Sequence, residues 1–295
     1  MKSKLIPLLC ITLHLCAQGA WAQVPDGSDM HLPRTPFRLQ SRAEVQLPPA
    51  VDNSTRKFFP PVLDQMGGSC AQASGIGYMF TYEINRLLAR DAHASADHRF
   101  SYQFSWNLLN DGQDQGDFVD QGLYLSERYG IMTEQDYGIS GTYQFKWATG
   151  YDKYYKALQY RTQEVLTFAD SIPLMKRWLY DAGDGSAVGG VLTFSAMSRG
   201  WDIDDDYQGP SLTGYRSLLK GLATDGAHAL TIAGYDDTVV YTDAQGTPHT
   251  GAFIVVNSWG THSHDRGRFY LPYDFFRDAR VPEQQLGSTV EAIRV

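Results

Sequence analysis

Residues 64–80 read DQMGGSCAQASGIGYMF, from Asp64 to Phe80, and they carry Cys70. Around this thiol, Ala73, Ile76, Phe80, Ile84 and Leu87 recur at steps of three and four, which predicts a helix with one apolar face. Ser69 stands at the expected N-cap, and Gly67 and Gly68 allow a tight entry turn. Cys70 is therefore expected in the first turn of a buried helix, where free backbone N–H groups and the positive end of the dipole favour thiolate. Gly75 and Gly77 lie inside that helix with no strand before them. They read as close-packing positions rather than a dinucleotide fingerprint.

The thiol stands out because the chain is expected to be exported. Met1 to Ala22 has Lys2 and Lys4, the apolar run LIPLLCITLHLC and the small-x-small tail Ala20-Trp21-Ala22. That is the layout of a signal peptide cut before Gln23, with a secreted or periplasmic product. The run from Leu5 to Cys16 is too short for a bilayer span, which needs about 20 residues. Of 3 cysteines, Cys10 and Cys16 would leave with the signal, so Cys70 would face an oxidising compartment without a disulfide partner. It is then either a small buried hydrophobe or a nucleophile.

Composition narrows the function further. With 43% hydrophobic and 13% aromatic residues the chain can bury a core, which excludes disorder. Loss of Lys2 and Lys4 would take the net charge from −8 to −10, so no nucleic-acid partner is expected. The run WDIDDDY, Trp201 to Tyr207, reads as a solvated acidic loop, because three adjacent carboxylates define no coordination geometry. His262 and His264 in THSHD are likewise too few for a ligand set. No metal and no organic cofactor is expected, and no membrane partner after signal removal.

Residues 23–56 read as an extended, proline-rich leader, and 57–295 as the folded domain. FSYQFSWNLLNDG and LYLSERYG read as helices with glycine stops at Gly112 and Gly130. From about residue 171 a helix, SIPLMKRWLYDAG, is followed by strand-like runs: AVGGVLTF, HALTIAGY, FIVVNSW and RFYLPY. Helices first and strands later predict an α+β architecture, with the helical half reaching to about residue 170.

A cysteine nucleophile needs a base. Beyond the signal the histidines are His31, His93, His98, His228, His249, His262 and His264. Only His228 opens a strand-like run, GAHALTIAGYDD, which DTVVYTDAQGTPHTG turns back as a hairpin through Gly246 and Pro248. The returning AFIVVN then brings Asn257 beside His228. An amide there can fix the tautomer and ring plane of an imidazole.

With these residues in view, the chain resembles the papain family of cysteine peptidases over most of residues 47–273. LPPAVDNSTRKFFPPVLDQ resembles the family's entry to the mature enzyme, DQMGGSC its glutamine-then-cysteine loop, GAHALTIAGYDD its histidine strand and FIVVNSWG its asparagine motif. YGIMTEQDYG resembles a family linker. The resemblance implies a two-lobed fold, a helical half and an antiparallel β-barrel half with the cleft between them. It implies Cys70 as nucleophile, His228 as ion-pair partner and general acid, Asn257 as orienter, Trp259 as shield and Gln65 as oxyanion donor. The implied reaction is peptide hydrolysis through a thioester, by a monomer acting on a protein or peptide substrate. Departures are visible too. The Gln65-to-Cys70 loop is one residue shorter than usual, Ala71 replaces an aromatic residue, and NSWG lacks the tryptophan that often follows it. The leader is also shorter than the family's helical pro-region. Two alternatives differ in class: an acyl-transferring Cys-His enzyme, which would prefer an aspartate to Asn257, and a non-catalytic binding protein on the same fold.

Overall fold

The computed structural model describes residues 30, 32–39, 45–111, 113–138, 147–168, 171–243, 246–277 and 290–295. The signal segment, the cut site before Gln23 and the stop at Gly112 lie outside the described residues.

The helix expected around Cys70 forms, but it is not uniform. It starts as α1 (Cys70–Gln72), winds through a π-helical stretch (Ala73–Phe80) and ends as α2 (Thr81–Leu87). The Thr81 N–H donates to the Ile76 carbonyl, an i→i−5 bond that widens the turn. Ala73, Ile76, Phe80 and Ile84 are buried as the periodicity predicts. Leu87 is not: it is 62% exposed, because the wider winding rotates the last turn away from the face set by a 3.6-residue period. Gly75 and Gly77 are packing positions as expected. A Cβ on Gly75 would sit 2.9 Å from Val119 Cγ1, and one on Gly77 2.5 Å from Leu63 Cδ1.

Around this helix lie α3 (Tyr102–Asn110), α4 (Val119–Tyr129), α5 (Glu134–Tyr137) and α6 (Tyr151–Ala157). Ser101 caps α3 by accepting the Phe104 N–H at 3.2 Å, and Gly130 ends α4 at φ 69°. Only glycine serves there, since a Cβ would fall 1.9 Å from the Ala157 carbonyl oxygen. α7 (Ile172–Asp181) carries Pro173 in its first turn and stops in left-handed Ala182, one residue before the expected glycine.

The strands are β1 (Arg34–Pro36), β2 (Ala50–Asp52), β3 (Glu164–Thr167), β4 (Leu192–Met197), β5 (Asp202–Asp204), β6 (Leu218–Gly221), β7 (Ala227–Thr242), β8 (Pro248–Val256), β9 (Arg268–Pro272) and β10 (Glu291–Arg294). They pair in the order β1-β3-β10-β4-β7-β8-β9-β6-β5, with β2 on β7. Only β1–β3 and β6–β9 run parallel. Among the described residues the sheet is open, with edges at β1 and β5, so the fold is mixed α/β around one large sheet and the expected closed barrel does not form. Nor is the sheet confined to the second half. β1, β2 and β3 enter it from before residue 170, and Phe37 stacks on Phe168 in the core at 4.7 Å. β5 arises inside the run read as a solvated loop, as the partner of β6.

The strand β7 has two buried faces, as a covered central strand must. Leu230 and Ile232 point into the core under α7, whereas Ala229 and Ala233 point into the core under the Cys70 helix. Thr231 shares the helix side, where Ser74 Oγ lies 2.8 Å from Thr231 Oγ1 and 2.7 Å from Thr193 Oγ1 on β4. One buried hydroxyl thus seats the helix on two strands. Ser74→Ala strands the buried Thr231 hydroxyl, while Thr193 Oγ1 still donates to the Leu230 carbonyl at 3.2 Å, so urea unfolding should show a loss of about 1–3 kcal/mol. An unchanged midpoint would mean that this seat carries no stability.

Candidate active site

Gly226, at φ 74°, turns the chain into β7, so that His228 is the second residue of the strand. The last ladder pair of the hairpin is Thr231 with Val256, which brings Asn257 alongside the strand's start. His228 Nε2 donates to Asn257 Oδ1 at 2.8 Å, and the Ser258 N–H donates to the same oxygen at 2.8 Å. Two donors on one oxygen fix which way the amide points. The ring of Trp259 stacks on the imidazole at 4.6 Å with 24° between planes.

Trp201 closes the site from outside. It lies edge-on to His228 at 6.3 Å and packs on Trp259 at 5.6 Å. Sequence reading missed it because Trp201 opens the acidic run WDIDDDY. The available signal was the missing tryptophan after NSWG, a shield that another segment then had to supply.

On the helix side Cys70 is half-buried. Ser69 stands at the cap position, but its hydroxyl donates to the Met66 carbonyl at 2.6 Å and does not cap the helix. The short glycine loop is seated on its neighbours. Gly68 N–H donates to Asp114 Oδ1 at 2.8 Å, and Gly67 holds φ 52°. Gln65 is held by the asparagine motif itself. Its N–H donates to the Ser258 carbonyl at 2.7 Å, and its Oε1 accepts from Ser258 Oγ at 2.5 Å. Its Nε2 donates to the Gly67 carbonyl at 3.0 Å, which leaves one N–H for another acceptor. Gln65, Cys70, His228, Trp201 and Trp259 all line one open cleft, with Asn257 buried behind His228.

The electrostatics run against the expected thiolate–imidazolium pair. Burial pushes the Cys70 thiol up, and Asp117 adds to the rise, while the backbone N–H groups of Ala229, Ala71 and Cys70 act the other way. Burial likewise holds His228 down to about 4, against the opposing bond from Asn257, with His264 lowering it further. Removal of both groups from water outweighs the gain at the helix start, so the site favours a neutral thiol and a neutral imidazole.

A buried neutral histidine makes stability depend on pH. Its ordinary value is 6.5 and its folded value about 4, so the unfolded chain takes up the proton first. The contribution is complete above about 6.5 and is lost as pH falls towards about 4. Over that interval the wild type should lose up to about 3 kcal/mol relative to His228→Gln in thermal or urea unfolding. Parallel pH profiles for the two proteins would show that folding does not lower the His228 pKa.

No family model matches the chain, and no curated protein matches it. Among solved structures its fold is similar to that of xylellain, a cysteine protease from Xylella fastidiosa, with a TM-score of 0.60 at 20% identity. The alignment covers 88% of this chain and 91% of that one. At this identity the likeness establishes a cysteine-protease-like fold.

Proposed function

We propose that the chain is a papain-type cysteine peptidase that hydrolyses peptide bonds through a thioester on Cys70. The observation that carries this reading is the joint placement of Cys70, Gln65 and His228 on one cleft, with His228 bonded to Asn257 at 2.8 Å and covered by Trp259. In this reading Cys70 Sγ attacks the substrate carbonyl carbon as its proton passes to the free nitrogen, Nδ1, of His228. The Cys70 backbone N–H and the remaining Gln65 Nε2 hydrogen meet the oxygen where negative charge develops. The C–N bond then breaks, the amine leaves with the proton from His228, and a thioester remains. Water attacks that thioester, gives a proton to His228, and the C–S bond breaks to restore the thiol. Asn257 holds the imidazolium that forms twice in each cycle. The chemistry asks for no metal or organic cofactor. Export by the segment Met1–Ala22 and action as a monomer on protein or peptide substrates belong to the same proposal.

A panel of fluorogenic peptides tests it, with wild type, Cys70→Ser and His228→Ala side by side. Wild type should cleave some of them, and each substitution should lower turnover by roughly 10⁴. Iodoacetamide should alkylate Cys70 much faster in wild type than in His228→Ala. A wild type that cleaves nothing and is alkylated no faster than His228→Ala would point to a binding protein. Transfer of the acyl group to an added amine in preference to water would point to the acyl-transferring alternative.

A further inference from the structure

Asn257 orients His228, and a second histidine is placed to orient Asn257. His264, from the same THSHD run, has a side chain only 9% exposed and a backbone at φ 53°, in the left-handed region that residues other than glycine seldom enter. Its Nε2 lies 3.3 Å from Asn257 Nδ2 and its Nδ1 lies 3.3 Å from Asp205 Oδ1. The ring is enclosed by Phe269 at 5.2 Å, Trp201 at 6.0 Å and Trp259 at 6.2 Å. Asp205 is itself anchored, since Ser217 Oγ donates to its Oδ1 at 2.7 Å from a fully buried position.

The hydrogens along this chain follow from valence. An ionised carboxylate only accepts, so His264 Nδ1 carries its hydrogen towards Asp205 and Nε2 is bare. A bare Nε2 accepts from Asn257 Nδ2, which agrees with the two donors already on Asn257 Oδ1. We propose that His264, held by Asp205, is a positioning residue that locks Asn257 in the orientation its oxygen needs towards His228, so that the site is a relay of Asp205, His264, Asn257 and His228 behind Cys70. This rests on the reading that His228 serves as base to Cys70.

The relay works only while His264 is neutral. Protonation at Nε2 would set an N–H against the Asn257 N–H, two donors with no acceptor, and release the amide. The titrating groups that face this ring are Asp205, from the β5–β6 connection, and His228, from β7 across Asn257; Trp201, Trp259 and Phe269 carry no charge. Burial lowers the His264 pKa and Asp205 opposes that, so the relay is intact near neutral pH.

Two substitutions separate positioning from packing. His264→Gln keeps an acceptor for Asn257 and cannot take a proton, whereas His264→Leu keeps bulk without an acceptor. Peptide turnover and the rate of Cys70 alkylation by iodoacetamide are measured against pH for both, beside wild type and His228→Ala. His264→Leu should lose on the order of tenfold in kcat and in alkylation rate with KM little changed, less than the about 10²–10⁴ that general base catalysis supplies as a whole. His264→Gln should approach wild type near neutral pH and keep its rate further into acid. Equal impairment of both variants, or wild-type profiles in both, overturns the proposal. Should His264→Leu not fold, Asp205→Ala alters a mostly exposed side chain and removes the charge that favours protonated His264. Its rate near neutral pH should fall, because Nδ1 loses the acceptor that fixes its hydrogen, and its acid limb should move to lower pH; a wild-type profile overturns the relay. Failure of the underlying reading is separate: it appears as an unaffected alkylation rate in His228→Ala.

Discussion

The phenol of Tyr78 joins the three segments from which the site is built. Its oxygen accepts the Leu63 N–H at 2.7 Å, and its hydrogen is donated to the Asn257 carbonyl at 2.9 Å. Tyr78 belongs to the helix that opens with Cys70, Leu63 lies two residues before Gln65, and Asn257 carries the imidazole. One side chain thereby holds the Cys70 helix, the Gln65 loop and Asn257 in register. It is buried against Phe59, stacked at 5.1 Å, so neither bond competes with water. Ser74, four residues earlier, faces the sheet on the same side and fixes the helix to Thr193 and Thr231. Ser74 and Tyr78, four residues apart and so on one face of the helix, together seat Cys70's helix against His228's strand.

That close seating determines the chemistry of the pair. Packing a helix start against a covered strand removes thiol and imidazole from water together, and each then resists charge. The polar groups behind them meet this cost only in part. Asn257 supports a charged imidazole, and the backbone N–H groups near Cys70 support a charged sulfur. Burial remains the larger influence on both. In the proposed reaction the charge-separated form is reached only as bonds change, which is the moment at which an ordered amide behind the histidine has most effect.

The sequence was most legible where contacts are local. His228 and Asn257 sit at matching ends of one hairpin, so the turn between them predicted their meeting, and Gly75 and Gly77 announced the tight helix seat. Gln65 was legible as a neighbour of Cys70, but its hold on Ser258 was not, because that bond crosses the whole chain. Trp201 was hidden by the aspartates after it, a composition that points to solvent and here forms a sheet edge and a site wall. The short strands Arg34–Pro36 and Ala50–Asp52 leave too few residues for an alternating pattern to register. Leu87 followed the helical period in sequence and escaped the core because the π-helical stretch changes that period. The charge state of Cys70 was inferred from its helix position and from His228 as a partner, and burial, a tertiary property that pushes the thiol up, was not visible there.

The protonation of His228 tests this account most directly, and ring-nitrogen NMR of the protein without added substrate, near neutral pH, reports it. The account predicts a neutral ring with its hydrogen on Nε2, towards Asn257, and a bare Nδ1. Hydrogens on both nitrogens, with Cys70 as thiolate, would contradict it and show that attraction between the two charges exceeds the cost of burying them.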